Sequence, residues 1–190
     1  SQSVLDDLAL FDTTKPRTLS PHPLYDHFGE KMPRSEALTR LQLPDTARYL
    51  LFFGLIRDYK GLDILLEAFA TLRTQYNSVK LIVAGEFYAD PSSYLKQIAA
   101  LGLEEHLILH DRYIPDEEVA PYFCAADMVV QPYKHATQSG VTQIAYHFER
   151  PMLVTRVGGL SEMVPDGKVG YVVEPSSQAV ATALVDFYEH

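Results

Sequence analysis

The chain has 190 residues, of which 47% are hydrophobic and 22% charged, with a formal net charge of -9. That balance fits one globular domain with a substantial core, and the acidity argues against non-specific nucleic-acid binding, which needs a basic face. A single cysteine, Cys124, excludes an internal disulfide and a multi-cysteine zinc site, and is expected to be a small buried hydrophobe. No apolar run approaches the ~20 residues of a membrane helix. The longest, YLLFFGLI, stops at Arg57. The opening SQSVLDDLALFD is acidic and amphipathic, unlike a signal peptide, and lacks an initial methionine. The expectation is therefore a piece of a longer protein, cytoplasmic by default.

Residues 1–48 read as a connector. SQSVLDDLALF suits a short helix with Ser3 as its N-cap, and SEALTRLQL suits another beginning at Ser35. Between them, a run rich in Pro and polar residues, TTKPRTLSPHPLYDHFGEKMPRS, breaks regular structure.

From Tyr49 onward the pattern changes to apolar runs alternating with helical stripes. The runs are YLLFF, VKLIVA, HLILH, DMVVQPY, PMLVT and VGYVV. Leu62, Leu65, Leu66, Phe69 and Leu72 form one helical stripe. Further helices are expected at SSYLKQIAALGL, DEEVAPYFCAA, SGVTQIAYHF and SSQAVATALVDFYEH, with Pro121 disturbing the second of these. Spacings of ~20–30 residues between runs leave room for βα units and parallel pairing. The predicted class is α/β: a Rossmann-like parallel sheet of about six strands with helices on both faces, spanning residues 49–190. Ligands of such sheets bind outside the carboxyl ends of the strands.

The loops after the strands are therefore the candidates for chemistry. In FFGLIRDYKG, Gly54 lets the backbone turn, and Arg57 and Lys60 could aim a planar fork and a point charge at one phosphate. The plain alternative is two solvated cations with Asp58 placed between them to pair. In HATQSGV, Ser139, Gly140 and Val141 open a helix and would leave free N–H groups for an anion, with Thr137 and Gln138 adding donors. The alternative there is an ordinary N-cap. No carboxylate occurs between Asp127 and Glu149, which suits a site for a diphosphate. Gly158 and Gly159 permit close backbone approach, PDGKVG reads as a reverse turn, and Glu162 is read as capping local backbone rather than meeting a ligand hydroxyl.

The fingerprints GxGxxG, GxxxxGK[ST] and GxSxG are absent. Seven histidines show no metal spacing. His106 and His110 bracket a strand without acidic or cysteine partners. His22, His27, His135, His147 and His190 read as packing or surface residues, though His135 lies on the candidate anion loop.

FFGLIRDYKGLDILLEAF, AADMVVQPY and TQSGVTQIAYHFERPMLVTRVGGLSEMVPDGKVGYVVEP, in this order and spacing, resemble the C-terminal domain of retaining GT-B glycosyltransferases of the group 1 or family 4 type. The likeness runs over residues 49–174, and PHPLYDHFGE resembles the segment that enters this domain. The resemblance implies one half of a GT-B fold that binds a nucleotide-diphosphate sugar, UDP- or GDP-linked, with no metal or other cofactor. Gly54, Lys60 and Gly61 match the family's Gly-Arg…Lys-Gly loop. Leu55 stands where the family Arg usually follows the Gly, so Arg57 is the substitute. By the resemblance, Arg57 and Lys60 stabilise the leaving diphosphate, the backbone of Gln138 to Val141 binds it, and Arg112, Tyr113 and Ile114 hold the base.

The family's Glu-x7-Glu motif is missing. One register places its acids at Thr137 and Ala145, the other at Ala136 and Ile144. The implied function is sugar transfer with retention in bacterial polysaccharide or glycoconjugate synthesis. A carbohydrate or lipid-linked acceptor would be held by an absent N-terminal domain, with peripheral association at the inner membrane face compatible with that role. Two alternatives stay open: a non-catalytic nucleotide-sugar binding module, and a GT-B-fold sugar-nucleotide epimerase, which needs acid/base groups that the acid-free loop does not supply.

Overall fold

The computed structural model describes residues 1–20 and 23–190, and the side chains of all of these except Ser3. His22, read above as a packing or surface residue, lies outside the described residues, as does the start of PHPLYDHFGE.

Six parallel strands form one sheet: β1 (Arg48–Phe53), β2 (Val79–Ala84), β3 (Leu107–His110), β4 (Met128–Gln131), β5 (Met152–Thr155) and β6 (Gly170–Val173). Their spatial order is β3-β2-β1-β4-β5-β6. Helices α1 (Gln2–Phe11) and α2 (Arg34–Arg40) precede the sheet. Helices α3 (Leu62–Arg73), α4 (Ser92–Ala100), α5 (Asp116–Ala125), α6 (Gly140–His147) and α7 (Ser177–Glu189) alternate with strands or close the chain.

The strand sequences are mainly apolar because both faces are covered, with polar residues at Arg48, Lys80, His110, Gln131 and Thr155. Alternation sorts their side chains. Tyr49, Leu51 and Phe53 of β1 join Ile82, Val129 and Val154 in a core with α2, α5 and α6. Leu50 and Phe52 join Leu81, Val130 and Leu153 in a second core with α3, α4 and α7. The stripe foreseen in α3 is buried in that second core, with Leu65, Leu66, Phe69 and Leu72 at 0% exposure. Cys124 is buried in the first.

Three local expectations are corrected. Ser3 lies inside α1, whose N-cap is Ser1. Helix α2 starts at Arg34 rather than Ser35. Pro121 does not disturb α5, which runs through it from Asp116 to Ala125. The proline removes one bond, to the carbonyl of Glu117 on an exposed residue that water reaches, while Val119 to Ala125 gain burial.

The sheet order reverses between β1 and β4. Strand β1 leads through α3 to β2 on one side; β4 leads through α6 to β5 on the other. The two chains therefore diverge at their carboxyl ends and leave a crevice between them. Gly61, in the left-handed region at φ 70°, lets the loop after β1 pack on the loop after β4. A Cβ there would stand 2.0 Å from the carbonyl oxygen of Pro132.

Gly61→Ala is expected to cost more than the about 1–2 kcal/mol of a left-handed alanine alone, because a backbone oxygen must also move. Gly102, at φ 63° with nothing within 4 Å of an added Cβ, is the matched control. Urea unfolding should place Gly61→Ala well below Gly102→Ala. Equal midpoints would show that the close approach carries no weight.

Candidate functional site

The crevice is built from residues 54–61 and 132–141. After β1, Gly54 turns at φ 94° and donates its N–H to Ala84 O at 2.9 Å. Ile56 then pairs with Phe87, its N–H donating to Glu86 O at 2.8 Å, and Tyr88 N–H donates to Ile56 O at 3.0 Å. This short extension of the β1–β2 pairing sets Arg57 over the ring of Tyr88, with the guanidinium carbon 4.0 Å from the centroid. The stack fixes an exposed cationic fork by cation–π attraction.

A 3-10 turn, Asp58–Lys60, brings the chain back. Lys60 is only 9% exposed. Its Nζ lies 3.2 Å from where a Gly54 Cβ would stand, and Val141 Cγ2 lies 3.6 Å from the same point. Lys60 Nζ also sits 5.7 Å from the centroid of the buried Tyr133 ring. Gly54, Lys60 and the first turn of α6 thus converge. Burial first, and the Arg57 charge second, pull the Lys60 amine down to about 8. Among the described residues no carboxylate pairs with it. A buried cation without an anion is costly unless a ligand supplies one.

Asp58 does not take the pairing role open to it from sequence. It binds Lys134 Nζ at 2.8 Å, and Asp63 binds the same amine at 2.9 Å. Lys134 N–H donates to Tyr59 O at 2.7 Å. These contacts lock the two loops together and leave Arg57 and Lys60 unneutralised among the described residues.

Ser139 is the N-cap residue of α6, yet its hydroxyl caps no helical N–H. It donates instead to Gln131 Oε1 at 2.7 Å, joined there by Thr142 Oγ1 at 3.1 Å, with Tyr133 OH 3.3 Å from Ser139 Oγ. Turning the hydroxyl inward leaves the first-turn N–H groups without a side-chain cap. Gln131 is buried at 1% exposure, and its Nε2 has no partner among the described residues. Gln131 and Tyr133 were not singled out from sequence. The available signal was a glutamine closing the otherwise apolar strand MVVQ.

Thr137 and Gln138 are exposed beside this turn, and Thr137 O accepts from Ser1 Oγ at 3.1 Å. The glycine pair works as its spacing suggested: a Cβ on Gly158 would meet Ala136 O at 1.8 Å, and one on Gly159 would meet Thr137 O at 2.4 Å. Lys134, His135, Ala136, Thr137, Val157 and Gly158 line a cavity of about 490 Å³ at this end. Glu162 accepts from Gln2 N–H at 2.7 Å, tying α1 to the turn after β5. Ile144 and Ala145 are buried in the core at 5% and 0% exposure, so neither register gives its second acid position an open face.

A second cavity of about 340 Å³ adjoins Gly54. Tyr113 and Ile114 line it with Phe28, Phe53, Leu55, Gly85, Glu86 and Asp116. Arg112 does not. Its guanidinium pairs with Glu118 on α5, which raises its pKa, and lines a separate hollow with His110 and Tyr122. Another cavity, of about 680 Å³, lies at the other end of the sheet beside Pro151 and Gly170. Among the described residues no group of three His, Cys, Asp or Glu could hold a metal.

The sequence matches the family described as Glycosyl transferases group 1 over residues 47–190. A D-inositol 3-phosphate glycosyltransferase of Catenulispora acidiphila is 33% identical, covering 94% of this chain and 46% of the relative. The chain thus spans less than half the length of that curated relative. The solved C-terminal domain of a group 1 family glycosyl transferase from Francisella tularensis superposes with a TM-score of 0.73 at 24% identity, over 87% of this chain and 88% of that one. Anabaena HepE, solved with UDP and glucose, gives a TM-score of 0.67 at 23% identity, over 82% of this chain and 42% of its own. With a six-stranded parallel sheet, helices on both faces and a family match over three quarters of its residues, the chain belongs to the group 1 glycosyl transferases and has the Rossmann-like C-terminal half of the GT-B fold.

Proposed function

We propose that this chain is the donor-binding half of a glycosyltransferase that takes a sugar from a nucleoside diphosphate and transfers it with retention. The observation that carries the reading is Lys60: a buried, unpaired amine at the topological switch point, beside Gly54 and the uncapped start of α6. A diphosphate supplies the missing anion. Its oxygens accept from Lys60, from the first-turn N–H groups around Gly140 and Val141, and from Arg57 if the fork swings off Tyr88. As the C1–O bond to the β-phosphate breaks and the acceptor hydroxyl oxygen bonds to C1, passing its proton to the departing phosphate oxygen, negative charge grows on the leaving diphosphate. Fixed cations and N–H groups stabilise that charge most where it develops. Binding of UDP and glucose by HepE supports a uridine donor, with GDP as the alternative.

The sugar lies in this reading toward Thr137, His135 and Gly158, and the base toward Tyr113 and Ile114. An absent N-terminal domain holds the carbohydrate or lipid-linked acceptor. Residues 1–48 connect the two, and the protein works in the cytoplasm or against the inner membrane face. No helix among the described residues is long and apolar enough to cross a membrane.

Calorimetric titration with UDP, GDP and ADP, each beside its monophosphate and without metal, tests the reading. One diphosphate should bind clearly above its monophosphate; binding of none would overturn it. Lys60→Met should weaken that diphosphate by roughly 10–150-fold, the loss of one charge-assisted bond of about 1.5–3 kcal/mol. The variant should be no less stable at neutral pH, because it removes a desolvated cation. Destabilisation together with unchanged affinity would contradict the role.

Affinity should also follow the protonation of Lys60. The amine is charged below about 8 and neutral above it. Diphosphate affinity should therefore hold near neutral pH and fall up to about tenfold per pH unit above about 8. Stability should move the opposite way. The folded pKa lies below the unfolded 10.5, so this group destabilises the fold below about 8 and stops doing so as pH rises toward 10.5. Affinity measured between pH 7 and 9.5 should show the fall in the wild-type chain and not in Lys60→Met.

A further inference from the structure

The segment that enters the sheet domain crosses its ligand-binding mouth as a strap. Tyr25 lies on Gly140: a Cβ there would be 3.0 Å from Tyr25 Cε2. Three residues on, the Phe28 ring forms a wall of the cavity of about 340 Å³ that adjoins Gly54. The next residue anchors the strap, with His147 Nε2 and Gly29 O 2.9 Å apart. Lys31 then pairs with Glu149 beyond the end of α6. The strap thus follows α6 from its first turn to its last. His27 packs against Phe28 with ring centroids 4.1 Å apart, and Tyr25 meets it edge-on at 6.2 Å, so the Phe28 ring is braced from its own segment.

Phe28 is half-buried, and another aromatic at the cavity, Tyr113, is 67% exposed. The lining is mainly apolar: Phe53, Leu55, Ile114 and Val119 face the same space. Such a cavity suits a flat ring bound by its faces. Gly54 belongs both to this cavity and to the point where Lys60 and Val141 converge. One ligand with an aromatic ring at one end and a diphosphate at the other fits both.

Resting on the donor-binding reading above, we propose that Phe28 is a nucleobase-binding residue: the strap supplies an aromatic wall against which the base packs, in a cavity that Tyr113 also lines. Donor binding then depends on a residue outside the sheet domain's own strands and loops. Base packing on an aromatic face tolerates different bases, because every base has a π-face. The strap thus contributes affinity more than discrimination. Selection among bases falls to the edge groups, Glu86 and Asp116 and the backbone around Tyr113.

Three probes separate the parts of the ligand: UDP, uridine and inorganic pyrophosphate, titrated into the 190-residue chain, Phe28→Ala and Phe28→Tyr. Phe28→Ala is expected to weaken UDP about 5–20-fold and uridine by a similar factor, while pyrophosphate affinity stays within about twofold. Phe28→Tyr keeps the ring and should stay near wild type for all three. Unchanged pyrophosphate binding shows that the α6 end of the site remains folded in the alanine variant. Equal losses of UDP and pyrophosphate would assign Phe28 a packing role and overturn the proposal, as would unchanged UDP affinity. If pyrophosphate binds the wild-type chain but UDP gains nothing over it, the base-binding role falls and the anion site stands. If neither binds, the donor reading itself falls, and this proposal with it.

Discussion

The contact on which the site depends is the close packing of two loops across the switch point. Gly61 lies against the carbonyl of Pro132, Lys134 N–H donates to Tyr59 O, and the Lys134 amine is held by Asp58 and Asp63. Together these contacts close the seam between the β1 and β4 loops and bury Lys60 beneath it. Burial then depresses the amine, while Asp58 and Asp63 are spent on Lys134. The result is a cation held in place with its counter-charge withheld. A buried cation without a counter-charge costs stability, and under the proposed function a bound diphosphate offsets that cost.

The second element of the site follows the same logic with hydrogen bonds. An N-cap serine normally satisfies its own helix. Ser139 turns instead toward Gln131 in the core, where Thr142 and Tyr133 complete a small polar cluster. The cluster holds the start of α6 rigidly while leaving its N–H groups open. It satisfies the oxygen of a glutamine at 1% exposure at the end of an apolar strand, while the amide nitrogen has no partner among the described residues. The second acid position of either register fits this arrangement: Ile144 and Ala145 serve the core beneath the helix, and Tyr25 meets the helix at Gly140.

Group 1 membership comes from the family match and the sheet order, and the chain covers less than half of the curated relative it matches. The half present contains the switch-point crevice, two cavities flanking it and the strap.

The sequence by itself determined the sheet and where to look on it. Apolar runs of strand length spaced by helical stripes left little choice but a parallel sheet covered on both faces, because that burial leaves no polar face to either layer. Gly54 marked a turn and Gly158 and Gly159 a close approach, because a side chain at each would meet the neighbouring loop. What the tertiary structure decided was which charges meet. Asp58 sits next to its candidate partners in sequence, yet pairs with Lys134 seventy-six positions away. Arg112 turns to Glu118 instead of the cavity. Phe28, in a stretch readable only as connector, comes to line that cavity. Side chains in loops and connectors have no period to betray their direction, and their partners lie far along the chain. Their roles emerge only when the strands have set the loops side by side.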